Sequence, residues 1–197
     1  MTSTQWIFIG VLALLVFWSV GAYNRLVRLK NIIANAFGQI DVQLKRRYEL
    51  VPNLVEATKK YLSHERETLE AVIAARNQAK SAGDVARGRP ANAAAVGTLA
   101  VAEQALSDSL GQLFALSEAY PDLKADQTIR DLTEELTSTE NKVTFARQAF
   151  NDAVLDYNNA QGQFPALLVA SLFSFAPSAM LQATDNAEER KTVRIAM

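Results

Sequence analysis

The feature that most constrains this chain is an uncharged apolar stretch near its N-terminus that runs without a break into a helical pattern. Residues 6–22 read WIFIGVLALLVFWSVGA. That is about seventeen residues, the short end of the roughly 17 to 25 that carry a helix across a bilayer. Trp6 lies at one end, and Trp18 and Tyr23 lie near the other, positions where an apolar ring with one polar atom suits the headgroup interface. Ile7, Phe8, Ile9, Leu12, Leu14, Leu15 and Phe17 fill the interval and, with the two tryptophans, are the residues expected to meet lipid. A cleaved signal peptide is the rival reading, since Gly21-Ala22 could pass for a cleavage site. The leader MTSTQ lacks the basic residues such peptides need, and the apolar run leads into a helix pattern instead of a loop. A single-pass anchor is therefore expected. Arg25, Arg28 and Lys30 follow the stretch and no cation precedes it, so the positive-inside rule puts the body of the chain in the cytoplasm and residues 1–5 in a short extracytoplasmic tail.

No proline or flexible linker separates Val20 from Arg47, and a single glycine costs a helix only about 1 kcal/mol. The anchor is expected to continue into the first helix of the body, a rod of roughly 60 Å from Trp6 to Arg47 at 1.5 Å per residue. Leu26, Leu29, Ile33, Phe37, Ile40 and Leu44 alternate spacings of three and four, the stripe of one buried helix face. Pro52 then predicts a turn over 49–52, with the proline in the first turn of a second helix carrying Leu54, Tyr61, Leu69, Val72, Ala75 and Ala79. Periodicity fades at Ser81-Ala82-Gly83, and the stretch through Gly88-Arg89-Pro90 reads as loop. A third helix from about Asn92 presents Val96, Leu99, Leu106, Leu110, Leu113 and Leu116, and ends in a turn at Tyr120-Pro121-Asp122. In the fourth, Leu132, Leu136, Thr139, Val143, Ala146, Phe150, Ala153 and Tyr157 keep heptad-like spacing. Short connections force sequential neighbours, so the expected fold is all-α: an anchor continuing into an elongated antiparallel four-helix bundle over residues 23–161.

Composition narrows the chemistry. The 197 residues carry a net charge of -1, which disfavours nucleic-acid binding. There is no cysteine, which removes disulfides, thiolate metal sites and thiol nucleophiles together. His64-Glu65 is followed by Thr68 where a zinc-protease helix needs a second histidine, and the glycines of 83–88 lack a phosphate-loop Lys-Ser/Thr. The expectation is no catalytic residue, no metal, no cofactor and no small-molecule substrate. Lys45-Arg46-Arg47 reads as a solvated face diluted by Asp41 and Glu49. Asp41, Glu65, Arg76, Glu118, Arg147 and Asn151 lie beside apolar stripes and are expected to form inter-helix polar pairs that set register.

The run Ile40-Asp41-Val42-Gln43-Leu44-Lys45-Arg46-Arg47-Tyr48-Glu49-Leu50-Val51-Pro52-Asn53-Leu54-Val55 resembles the hallmark stretch of the LemA family of bacterial membrane proteins. Tyr23-Asn24, Tyr61 with His64-Glu65, Tyr120 through Ala125, Tyr157-Asn158 and Phe164-Pro165 agree in order and spacing. Phe150 and Leu167 depart from the family's commoner residues. The resemblance implies a membrane-anchored helical bundle in the bacterial inner membrane. Some relatives are implicated in forming magnetosome membranes, and others are encoded beside membrane proteases.

One segment remains. Residues 162–181 are apolar and carry Pro165 and Pro177, and about a dozen helical residues reach only some 18 Å against a 30 Å hydrocarbon core. The segment could bury itself in the bundle, lie in the membrane interface, or pack on another copy. The last is the reading taken, with Phe164, Leu167, Leu168, Leu172, Phe173 and Phe175 as the oligomer contact. Residues 182–197 read as a polar tail, in which Val193 and Ile195 could add an edge strand. Together these expectations describe a self-assembling, membrane-anchored scaffold that organises the bilayer, or alternatively an adaptor for a membrane protease or another membrane complex.

Overall fold

A computed structural model describes residues 2–181, so the tail over 182–197 and its suggested strand lie outside the described residues. The described residues form helices and connections only: α1 (Ser3–Thr58), α2 (Arg66–Gly88), α3 (Ala93–Ser117), α4 (Pro121–Ala125), α5 (Gln127–Gly162) and α6 (Ala166–Leu172). At 1.5 Å per residue the 56 residues of α1 make a rod of about 84 Å. Its N-terminal third is long and apolar enough to cross a membrane and is not buried against the rest of the chain.

The turn expected at 49–52 is not there. Pro52 lies inside α1, and the chain reverses only after Thr58, whose carbonyl accepts from Tyr61 N and Leu62 N, both at 3.0 Å. A proline in a helix interior removes the N–H that would bond the carbonyl four residues back. That carbonyl belongs to Tyr48, and Arg76 Nε from α2 donates to it at 2.8 Å instead. The donor that local sequence removes is supplied by tertiary structure.

The loop expected over 81–90 is also mostly helix, since α2 continues to Gly88. Its inner face is made of small residues, with Ala75, Ala79, Ala82 and Ala86 all buried. A Cβ at Gly83 would stand 3.4 Å from Tyr48 Oη. The fading apolar signal thus marks a close helix-to-helix approach. The Tyr120-Pro121-Asp122 turn opens a single helical turn, α4, whose Leu123 is buried.

Caps define the later starts: Asn92 Oδ1 accepts from Ala95 N at 2.9 Å, and Asp126 Oδ1 accepts from Ile129 N at 3.2 Å. α1 runs antiparallel to α2 and to α5: Asp41 and Tyr48 meet Arg87 and Ala79, and Phe37 and Arg46 meet Phe150 and Glu135. α1 packs along α5 and α2, and α2 along α3. Of the α1 stripe, Ile33, Phe37, Ile40 and Leu44 share one buried core with Val96, Leu99, Leu106, Leu110 and Leu113 of α3 and Leu136, Val143 and Phe150 of α5, while Leu26 is buried apart from it. Phe37 and Phe150 cross edge to face with centroids 5.9 Å apart. Each such side chain contributes about 1.5 to 3 kcal/mol by leaving water. The α3–α5 side stays open as a groove.

Candidate functional site

Three places concentrate features beyond core packing. The first lies just past the apolar stretch of α1. Trp6, Ile7, Phe8, Ile9, Leu12, Leu14, Leu15, Phe17 and Trp18 all face outward, Phe17 at 78 % exposure. One residue after Ala22, Tyr23 receives the C-terminal segment: its ring lies edge-on to Phe173 at 4.9 Å and to Phe175 at 5.5 Å. Leu26, Ala160 and Ala170 close a small second core there. Helix α6 buries Val169 and Ala170 against α1 and α5 and turns Phe164, Leu167, Leu168, Leu172 and Phe173 outward. Phe175 is half-buried. Ser174, in the left-handed region at φ 55, ends α6 by letting Phe175 N reach back to the Ala170 carbonyl at 2.9 Å.

From Phe175 the chain returns along α5 as a strap held by side chains that imitate a strand partner. Asn158 Nδ2 donates to the Ser178 carbonyl and its Oδ1 accepts from Ser178 N, both at 2.9 Å. Asn151 does the same with Leu181, at 2.8 and 2.9 Å. Seven helical residues advance about 10.5 Å and three extended residues about 10 Å, so the two asparagines match the strap's repeat. Tyr157 Oη donates to the Ala176 carbonyl at 3.0 Å, Gln161 Nε2 to the Phe175 carbonyl at 2.8 Å, and Ser178 Oγ to the Ala91 carbonyl at 2.8 Å.

The second place is a buried polar cluster in mid-bundle. Arg47 is only 4 % exposed, which corrects the expectation that Lys45-Arg46-Arg47 forms one solvated face: Lys45 and Arg46 are exposed, but Arg47 turns inward. It pairs with Glu103 at 2.7 Å and with Glu140 of α5 at 3.1 Å, and it donates to Ser107 Oγ at 2.9 Å. The Tyr48 hydroxyl donates to Glu103 Oε1, with the Ala79 carbonyl 3.1 Å away. Burial, and then the negative charge of Glu103, push the Tyr48 phenol far above its ordinary pKa. Among the described residues no buried side-chain nitrogen or oxygen lacks a partner, the condition under which a buried pair is tolerated. Glu103 was readable in principle, because it falls on the Leu99 and Leu106 face of α3.

The other polar candidates separate. Asp41 receives a bidentate hydrogen bond from Arg87 of α2 at 2.8 to 2.9 Å and an ion pair from Lys45 at 3.0 Å. Burial works to raise its carboxyl, but these cations outweigh it and hold the pKa below the usual range. Arg76 caps Tyr48 as described. Glu65 stands 3.4 Å from the Tyr120 hydroxyl. Glu118 does not join two long helices: it is exposed and pairs with nearby Lys124. Arg147 is half-buried and makes no hydrogen bond or ion pair to another helix among the described residues. Asn151 holds the strap. No set of three or more histidine, aspartate or glutamate side chains gathers in a metal-binding arrangement among the described residues.

The third place is the α3–α5 groove, about 800 Å³, with Leu113, Phe114, Leu123, Ile129 and Phe145 along it and Glu118, Lys124, Arg130, Glu134 and Lys142 among its charged lining.

Comparison with known proteins decides the lineage: residues 36–196 match the sequence profile of the LemA family. The chain belongs to the LemA family. It is 26 % identical over 179 residues to Protein LemA of Metamycoplasma hominis, covering 90 % of this chain and 77 % of that relative. In this LemA-family chain the stretch over 40–55 supplies Asp41, Arg47, Tyr48 and Pro52. Asp41, Arg47 and Tyr48 tie α1 to α2, α3 and α5, beside the exposed Arg46–Glu135 pair, and Pro52 leaves the Tyr48 carbonyl open to Arg76.

Proposed function

We propose that the protein is a membrane-anchored helical scaffold, inserted once in the bacterial inner membrane through residues 6–22, with its bundle in the cytoplasm. The observation that carries this reading is the continuity of α1. One helix provides both the apolar stretch and a wall of the bundle core, without a break at Gly21 or Pro52. Such a helix fixes the attitude of the bundle to the bilayer, and many copies would impose a common geometry on the membrane that holds them. Arg25, Arg28 and Lys30, on the bundle side of the stretch, support the cytoplasmic orientation. In this reading the bundle turns over no substrate; it works through position.

The test is reconstitution of the full chain into vesicles viewed by electron cryomicroscopy. The wild type should alter vesicle shape or form ordered patches as protein density rises. A variant with a flexible Gly-Ser linker between Ala22 and Tyr23, equally inserted and folded, should not. Identical behaviour of the two would defeat the scaffold reading.

The α3–α5 groove favours a second reading, an adaptor that seats a helix of another membrane protein such as a protease. A photo-crosslinking residue at Phe145 in native membranes would then yield one dominant partner; diffuse or absent products would argue against it.

A further inference from the structure

We infer that the outward face of α6 lies in the bilayer interface on the bundle side, giving the protein a second membrane contact beside its span. This rests on the reading that residues 6–22 cross the membrane. Four observations point to lipid as the occupant of that face. The first is height: Phe173 and Phe175 pack on Tyr23, one residue beyond the apolar stretch, so α6 is pinned where the span leaves the hydrocarbon. The second is exposure: Phe164 is 81 % and Leu172 77 % exposed, and Leu167, Leu168 and Phe173 are exposed with them. A contiguous apolar face of this kind, on a helix whose other face is already buried, marks an interaction surface. The third is charge. Between Asp156 and Asp185 the sequence has no charged residue, so nothing in α6 has to be desolvated when it beds among acyl chains. The fourth is the surroundings: the exposed side chains Arg25, Arg28 and Lys30 of α1 follow directly, the cations that anionic headgroups attract.

Continuity with the span favours lipid over a second copy. Phe17, Trp18 and Val20 are exposed just before Tyr23, so a contact between copies would have to form at the membrane surface and exclude the lipid that an inserted span meets there. The strap fits the same role. Its asparagine contacts fix residues 175–181 to α5, and the left-handed turn at Ser174 ties α6 to the strap, so α6 is held at a set distance from the span.

The chain has no cysteine, so single cysteines at chosen sites can be labelled with a small fluorophore in the full-length protein, reconstituted in vesicles of phosphatidylcholine and phosphatidylglycerol. Labels at Leu168→Cys and Leu172→Cys should be quenched several-fold more by lipid carrying a shallow doxyl group than by aqueous iodide. Leu12→Cys should respond to the deep doxyl lipid, and Val101→Cys, exposed on α3, to iodide alone. If the α6 labels respond to iodide while Leu12→Cys stays in lipid, the inference is overturned and the anchor stands. Protection of the α6 labels from both quenchers would mean that protein covers the face, and would overturn it equally. A Leu12→Cys label open to iodide would remove the anchor and this inference together. Phe164→Cys, the most exposed position, replaces either α6 variant if that variant fails to fold.

Discussion

Arg76 Nε donates a 2.8 Å hydrogen bond to the main-chain carbonyl of Tyr48, the carbonyl that Pro52, lacking an N–H, leaves without a donor inside α1. The side chain of one helix thus completes the backbone of another. Arg76→Ala should cost about 1.5 to 3 kcal/mol, the range for a lost hydrogen bond from a charged group. In a Pro52→Ala background, where the backbone donor returns, the same change should cost clearly less. Guanidinium unfolding of the four proteins in detergent, followed by circular dichroism, measures the coupling. Equal costs in both backgrounds would refute the link.

A second prediction concerns Glu103, which neutralises Arg47 at 2.7 Å in the bundle interior. Glu103→Ala leaves a buried guanidinium with one remaining carboxylate and should destabilise by about 3 to 5 kcal/mol. Replacing both partners, with Arg47→Met and Glu103→Leu, should recover much of that loss, since an apolar pair of similar volume needs no compensation. A double variant as unstable as the single one would show that the pair is not the source.

Acid sensitivity should trace in part to Asp126. Its carboxylate accepts from Lys60 Nζ at 3.0 Å, Tyr61 Oη at 2.9 Å and Ile129 N, and the hydrogen bonds from Lys60, Tyr61 and Ile129, in that order, hold its pKa down to about 2. A depressed folded-state pKa contributes stability that is complete above the ordinary aspartate value of 3.8 and disappears as pH falls through about 2. Asp126→Asn should therefore flatten the pH dependence of the melting temperature below that ordinary value. An unchanged acid limb would contradict the assignment.

The strap offers a local readout. Asn151→Ala removes the acceptor of the Leu181 amide, and a lost hydrogen bond of about 1 to 1.5 kcal/mol corresponds to roughly tenfold faster exchange of that amide. Hydrogen exchange by mass spectrometry should show this at the strap and leave the α1 core unchanged. Asn158→Ala should act in the same way at Ser178.

What was legible in the sequence, and what was not, divides along one physical line. The stripes of α1, α3 and α5 show in the sequence because burial of large side chains imposes helical spacing within a single element, as at Ile33, Phe37 and Ile40. Pro52 was misread because a proline rule sees only the lost local donor, while Arg76 replaces it from 24 residues further along the chain. Ser81 to Gly88 was misread because small residues at a close approach resemble a loop in composition. Arg47 looked solvated beside two other cations, since its counter-charge at Glu103 lies in a different helix. The strap is missed for the same reason: Asn151 is expected to pair with another helix, but it and Asn158 hold an extended segment that only the folded chain lays beside them.

The length of the apolar stretch has a mechanical consequence. Residues 6–22 amount to about 25 Å of helix, against a hydrocarbon core of roughly 30 Å. Tilting would shorten that reach further, so for a chain anchored as proposed α1 stands near the membrane normal and the bilayer yields to it by thinning. Such a helix acts as a thickness gauge. If copies gathered as proposed, the patch would be thinner than its surroundings, and neighbouring membrane proteins would sort into or out of it by the length of their own spans.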